Sequence, residues 1–312
     1  MEYTIYKLEF PNGVHFGTMA LESTQYTFQA DTFFSALCIE AIKKGEDCLE
    51  KLVRYVETEQ LLFSDAFPYI KNEYYLPKPI LHIENSARGD SVVKKAYKKL
   101  DYVPLSVFEN YLNGTLPLER TNDLEQLGSF DSKVSVAIRG EEEAQPYRIG
   151  IYYYNDGCGL YVLVRYEKEE FLAFFEELLE GLSFSGIGGK RNTGLGRFLY
   201  YKVKRLPEEL MVRLNQKAKK YMTLSVSLPT EEELDAAMEK ATYLLQKRSG
   251  FVSSANYAKQ QMRKKDLYVC QAGSCFTMKY KGAVYDVSSV GEHPVYRYAK
   301  PLFVEVAPCK EI

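Results

Sequence analysis

Hydrophobic and polar residues alternate across positions 3–10, the period of a strand with one covered face, and the run stops at Pro11-Asn12-Gly13, a turn sequence. The spacing then lengthens. Phe33, Phe34, Leu37, Ala41 and Ile42 recur at helical intervals, with Asp31 placed to cap the start of the helix and Gly45 its end. Leu49, Leu52, Val53 and Val56 mark a second short helix. Leu61 to Phe63 follows, with the proline-punctuated stretch Phe67-Pro68 and Leu76-Pro77-Lys78-Pro79.

Positions 82–130 are polar and irregular, with charged helical pieces at 94–100 and 107–112, and read as an insertion. Alternation returns at 133–139 and 147–154 on either side of Gly140-Glu141-Glu142-Glu143, which predicts a projecting hairpin. A strand at 160–166 leads to a helix at 168–182, whose buried stripe is Phe171, Phe174, Phe175, Leu178 and Leu179. A glycine-rich segment and a strand at 197–203 follow. The second half restarts the pattern: a helical connector at 208–220, a strand at 222–228, and a helix with Thr230 and Glu233 at capping-box spacing. Strand signals then recur at 242–245, 267–270, 284–287 and 302–306.

Two successive strand–helix–strand–strand units predict an α+β chain of two RRM-like (ferredoxin-like) domains. Each would be an antiparallel sheet with helices on one face. The first spans 1–205, with a thumb-like hairpin and insertion at about 82–156 and a glycine-rich loop at 181–198; the second spans 206–312. Open sheet faces and loops of this plan hold single-stranded RNA.

A chain of 312 residues that is 46% hydrophobic buries a real core and is not disordered. Its 26 tyrosines and 17 phenylalanines, with no tryptophan, suit surfaces that pack on one side and stack on the other. The net charge of −2 argues against nucleic-acid binding by bulk attraction, so any such binding is local. Local clusters exist at Lys94/Lys95/Lys98/Lys99, Lys190/Arg191/Arg197, Lys202/Lys204/Arg205 and Lys259/Arg263/Lys264/Lys265. Six cysteines form no Cys-x-x-Cys pair, and no histidine stands near Cys270 and Cys275, so zinc is unsupported and the thiols read as reduced. The start of the chain has no basic, apolar leader and no run is long enough to span a bilayer, which predicts a cytoplasmic protein without a membrane partner.

The segment from Gly181 to Phe198 concentrates the chemistry, placing six glycines around Lys190, Arg191 and Arg197. Glycine permits positive φ and close approach, so such a loop can aim backbone N–H groups at an anion, with the cations as countercharge. A phosphate chain is the natural guest. A P-loop is excluded because Gly189-Lys190 is followed by Arg191 and the earlier glycine position holds Phe184. The dinucleotide fingerprint is excluded because its third glycine falls on Arg191 or Leu199. The alternative is an ordinary turn whose glycines only let helix and strand pack.

The ordered set of motifs resembles the RAMP subunits of CRISPR effectors, and among them the Cas5-like fourth subunit of the type III-A Csm complex. The resemblance rests on Ala30-Asp31-Thr32-Phe33-Phe34-Ser35-Ala36-Leu37, Ser64-Asp65-Ala66-Phe67-Pro68, Leu76-Pro77-Lys78-Pro79 and Ser185-Gly186-Ile187-Gly188-Gly189-Lys190-Arg191 with Gly194-Leu195-Gly196-Arg197-Phe198. Ser249-Gly250-Phe251, Lys265-Asp266-Leu267-Tyr268 and Tyr298-Ala299-Lys300-Pro301-Leu302 extend it over nearly the whole chain. It implies a non-catalytic, cofactor-free subunit of a heteromeric ribonucleoprotein that binds the 5′ repeat-derived handle of the crRNA. It further implies contact with the large polymerase-like subunit and with a backbone RAMP subunit. Gly186, Gly188, Gly189, Lys190, Arg191, Asn192, Gly194, Gly196 and Arg197 carry over as handle-binding, with His15, Lys264 and Lys265 as further RNA contacts and Arg139 and Arg148 as hairpin contacts placed by position alone. The hairpin corresponds to the thumb that RAMP subunits push into the guide.

The competing expectation is a metal-independent RAMP endoribonuclease centred on His15, whose imidazole would act on a 2′-OH with tyrosine or lysine partners. His82 and His293 have no acidic motif nearby. Asp31 reads as an N-cap, so the cleaving aspartate of the backbone subunit is not carried over to it. No Gly-Gly-Asp-Asp or His-Asp motif is present, which separates the chain from the large catalytic subunit.

Overall fold

The computed structural model describes residues 1–17, 20–83, 91–137, 145–254 and 257–306. In the first half, β1 (Glu2–Glu9) leads through β2 (Phe16–Gly17) and β3 (Thr24–Gln25) to α1 (Ala30–Lys44) and α2 (Glu46–Glu57). Then come β4 (Leu61–Phe63), β5 (Phe67–Ile70), β6 (Glu73–Pro77), α3 (Ser91–Lys99), β7 (Tyr102–Pro104) and α4 (Phe108–Leu112). The hairpin strands β8 (Gly128–Ala137) and β9 (Gln145–Tyr154) precede β10 (Cys158–Tyr166), α5 (Glu169–Ser185) and β11 (Leu199–Lys202). The second half holds α6 (Glu208–Asn215), β12 (Tyr221–Thr223), α7 (Glu231–Met238), β13 (Leu245–Arg248), β14 (Leu267–Cys270), β15 (Cys275–Phe276), β16 (Ala283–Asp286), β17 (Tyr296–Ala299) and β18 (Phe303–Glu305).

The main sheet runs β11-β1-β10-β5-β6-β7, with β4 also against β10, and its strand pairs are antiparallel. Its central strand explains its own sequence. Leu160, Val162 and Val164 of β10 enter a core with α1, α2 and α5, while Tyr161 and Leu163 enter a second core on the opposite face. A strand covered on both faces needs an unbroken apolar run, and Leu160 to Val164 is one. The expected open sheet face is therefore absent at the centre: α4, α6 and residues of β12 and β18 from the second half pack there.

The second half does not form the single sheet expected of it. Its strands are two to four residues long and divide into β15-β12-β18, β13-β14 and β16-β17. The reason lies in where its apolar residues go. Met222 and Val304 join the second core and Val269, Tyr298 and Ala299 the first, so these strands close over the first half instead of one another.

Local signals were mostly met. Buried Phe33, Phe34, Leu37 and Ala41 form the inner stripe of α1, but Ile42 lies outside it and is exposed. All five stripe residues of α5 are buried, and the helix continues to Ser185 before Gly186, at φ 76°, ends it. Thr230 and Glu233 form the capping box. The hairpin pairs from Gly128↔Tyr154 to Ala137↔Gln145, its first strand starting ahead of the alternation that begins at 133. No helix among the described residues is long and apolar enough to cross a membrane.

Candidate nucleic-acid interface

The glycine loop spends half of its amides on itself and on the residues it folds against. The N–H groups of Ile187 and Gly196 donate to the carbonyls of Gly196 and Gly13, at 2.9 and 3.0 Å. Those of Gly186, Gly189, Thr193 and Gly194 donate to Leu182, His15, Lys190 and Arg191. The expected row of bare amides is thus interrupted: Gly188, Lys190, Arg191, Asn192, Leu195 and Arg197 have no backbone acceptor among the described residues. The glycines are required for this closure. A Cβ on Gly196, at φ 75°, would stand 2.0 Å from the Ile187 carbonyl oxygen, and one on Gly188 2.7 Å from that of His15.

His15 is the post around which the loop folds. The residue is only 5% exposed, and Nδ1 lies 2.7 Å from the Gly150 carbonyl oxygen of β9, so that nitrogen carries the proton and donates. Gly17 and Gly189 lie against the ring, and a Cβ on Gly189 would meet Cδ2 at 2.6 Å. Among the described residues no tyrosine or lysine hydrogen-bonds the imidazole.

Facing this wall across a cleft of about 570 Å³ is a second wall from the far half of the chain. Here the reading of Asp31 as an N-cap is overturned. The cap position is Gln29, without a side-chain bond, and Asp31 lies in the first turn with its carboxylate almost fully buried. Arg248 of β13 binds it in bidentate fashion at 2.8 and 2.7 Å, and Arg297 of β17 adds a bond of 2.9 Å. Burial alone would raise the Asp31 carboxyl; Arg248, then Arg297 and Lys264, overcome this and hold it below its ordinary value. Arg297 is 5% exposed, and its Nε has no hydrogen-bond partner among the described residues. Lys264 reaches Ser35 at 3.5 Å, and burial, with Arg297 beside it, lowers its ammonium from the ordinary value. Three cations from one wall therefore surround a single carboxylate, and Arg191 of the other wall lines the same cleft.

The cleft unites His15, Gly188, Gly189, Arg191 and Lys264 of the expected site. It leaves others out. Lys190, at φ 55°, turns toward β9, where its Nζ sits 4.8 Å above the Tyr147 ring. Asn192 and Arg197 line an open outer depression with Phe184, Lys43 and the backs of Gly188 and Gly189. Gly186, Gly194 and Gly196 hold the loop's shape, Lys265 is exposed outside the cleft, Arg148 is part-way along β9, and Arg139 lies outside the described residues. Arg248, Arg297 and Phe251 line the cleft without having been singled out as site residues. Arg248 and Arg297 meet Asp31 across 217 and 266 residues, and no local pattern announces such a pairing. For Phe251 the available signal was its place in the Ser249-Gly250-Phe251 motif.

A model of the CRISPR Csm4 C-terminal domain matches residues 216–306. The "CRISPR system Cms protein Csm4" of Mycobacterium tuberculosis (strain H37Rv) is 37% identical over 97% of this chain and 98% of its own length. The protein of the same description from Streptococcus thermophilus is 34% identical over 98% and 99%. Among solved structures, a chain of the Csm3–Csm4 subcomplex of the type III-A CRISPR-Cas interference complex matches with TM-score 0.66 at 20% identity, covering 99% of this chain and all of that one. A chain of the Csm1–Csm4 cassette in complex with cA4 matches with TM-score 0.60 at 21% identity, covering 98% of this chain and 99% of that one. The class is thus a RAMP subunit of a type III CRISPR complex. This chain belongs to the Csm4 family.

Proposed function

We propose that the chain is the crRNA-binding subunit that recognises and caps the 5′ repeat-derived handle in a type III-A interference complex, bridging the large polymerase-like subunit and the backbone RAMP subunits without catalysing a reaction. The observation that carries this reading is the two-walled cleft, in which Arg191, Lys264, Arg248 and Arg297 outnumber Asp31. Excess local cation in a chain of net charge −2 is the footprint of a phosphate-tracking groove. The central order β11-β1-β10-β5, with α1, α2 and α5 on one face, supports an RRM-like unit over 1–205, with β8–β9 as its thumb and 206–312 as the companion unit. The Csm3–Csm4 and Csm1–Csm4 assemblies formed by similar proteins support the two protein partners.

The test replaces Arg191 and Lys264 with alanine together. The expected result is at least about tenfold weaker binding to handle-bearing RNA and a salt slope reduced by about 1.4. Unchanged affinity and slope would overturn the reading.

A further inference from the structure

We propose that the cleft holds one unstacked nucleotide of the bound strand, its base lying on Phe251 and its phosphate between Arg191 and Lys264. This rests on the RNA-binding reading and adds a place for one base. Phe251 is 53% exposed at the lip of the cleft and stacks on no other ring among the described residues. Its position is fixed from behind. The segment at Gly250 and Phe251 pairs with Arg263 and Lys264: Phe251 bridges Arg263, the Lys264 N–H donates to the Gly250 carbonyl at 2.9 Å, and the Val252 N–H donates to that of Met262. The Arg263 guanidinium stands 5.6 Å from the ring centroid, covering one face. Gly250, at φ 139°, makes the turn that presents the ring.

The same backbone pairing that sets the ring also sets Lys264, so a stacking face and a phosphate ligand arrive as one unit. Opposite them are Arg191 and the unused N–H of Gly188. Beneath, Arg297 lines the floor of the cleft, its guanidinium held on Asp31. The volume of about 570 Å³ lies within the ~300–1,000 Å³ range of sites that enclose a small ligand, and it suits a single nucleotide. A base on an aromatic platform backed by arginine is sequence-tolerant, so the slot fixes register more than identity.

The experiment uses the full chain and single-stranded RNA oligonucleotides, each carrying one 5-iodouridine or one abasic residue at a successive position. At one position the iodouridine should crosslink to Phe251 on irradiation. An abasic residue there should weaken wild-type binding about 5- to 100-fold, and Phe251→Ala or Phe251→Leu should show the same loss with no further effect of the abasic residue. Phe251→Tyr should restore wild-type behaviour. All Phe251 variants should keep the wild-type salt slope, since no phosphate contact is removed. If Arg191→Ala/Lys264→Ala weakens every oligonucleotide while Phe251→Ala is silent at all positions, the slot is wrong and the RNA reading stands. If that double variant binds as wild type, the RNA reading itself falls. If Phe251→Ala spares RNA binding but lowers capture of Csm1 or Csm3, Phe251 is a protein-docking residue and the slot is likewise overturned.

Discussion

The two walls of the cleft are made by opposite means. The wall from residues 186–197 is backbone: glycines at positive φ fold the loop onto Gly13, His15 and itself, and only Arg191 projects into the cleft without a partner among the described residues. The wall from residues 248–297 is side chain: two arginines held on Asp31, with Lys264 and Phe251 above them. The first wall supplies shape and the second supplies charge. A glycine-rich loop with cations therefore need not be a cradle of amides; its glycines can be consumed in making the loop rigid enough to place one arginine.

The largest effect should come from breaking the charged wall. Asp31→Asn keeps the shape but leaves Arg248 and Arg297 buried without a countercharge, and it should cost about 3–5 kcal/mol of stability in urea unfolding. Acid should mimic it. Because the folded-state value of Asp31 is depressed, its contribution is present above the ordinary carboxyl range and is lost as pH falls below about 4. A variant unfolding at the wild-type urea concentration would show that the clamp does not join the halves.

The backbone wall is tested by two glycines that differ in surroundings. Gly194→Ala meets nothing nearer than Asn12 Nδ2 at 3.8 Å, so only the strain of φ 89° opposes it, about 1 kcal/mol. Gly196→Ala adds the collision with the Ile187 carbonyl, and about 3 kcal/mol is expected together with weaker RNA binding. Equal losses at both positions would remove self-closure as the reason for the glycines.

What the sequence disclosed follows from the range of the forces involved. The run at Leu160 to Val164, the stripe of α5 and the Thr230 capping box depend on near neighbours, and periodicity reveals them. Gly186 and Arg191 were visible because composition marks a loop. The closure of that loop on Gly13 and His15 was not, since hydrogen bonds to residues near the start of the chain leave no periodic trace. Asp31 shows the limit most sharply. A carboxylate at a helix start has the local signature of a cap, and only the arrival of Arg248 and Arg297 from the other half makes it the centre of a clamp. The division of the second sheet has the same origin, because Met222 and Val304 satisfy a core built by the first half.

Beneath both walls lies a seam that uses neither glycine nor arginine, and its effect is spread over several pH units. Asp65 Oδ1 accepts the N–H of Ala30 at the start of α1 and that of Val226 from the second half, at 2.8 and 2.9 Å. Burial raises its carboxyl, against those two amides, from 3.8 to about 7, with the Asp31 charge adding to the rise. A raised value means that the folded state holds the proton more tightly, so the contribution is full below about pH 4 and is lost as pH rises to about 7. The side-chain carbonyl of an asparagine at this position would accept the same two N–H groups without ionising. The stability of wild type minus Asp65→Asn should therefore decline across that window, by no more than about 1.4 kcal/mol per pH unit, and level off above it. Asp31, held below its ordinary value, is already ionised across this window, so parallel pH profiles in chemical unfolding would mean that Asp65 ionises as a solvated carboxylate does, and that the seam is wetter than its burial indicates.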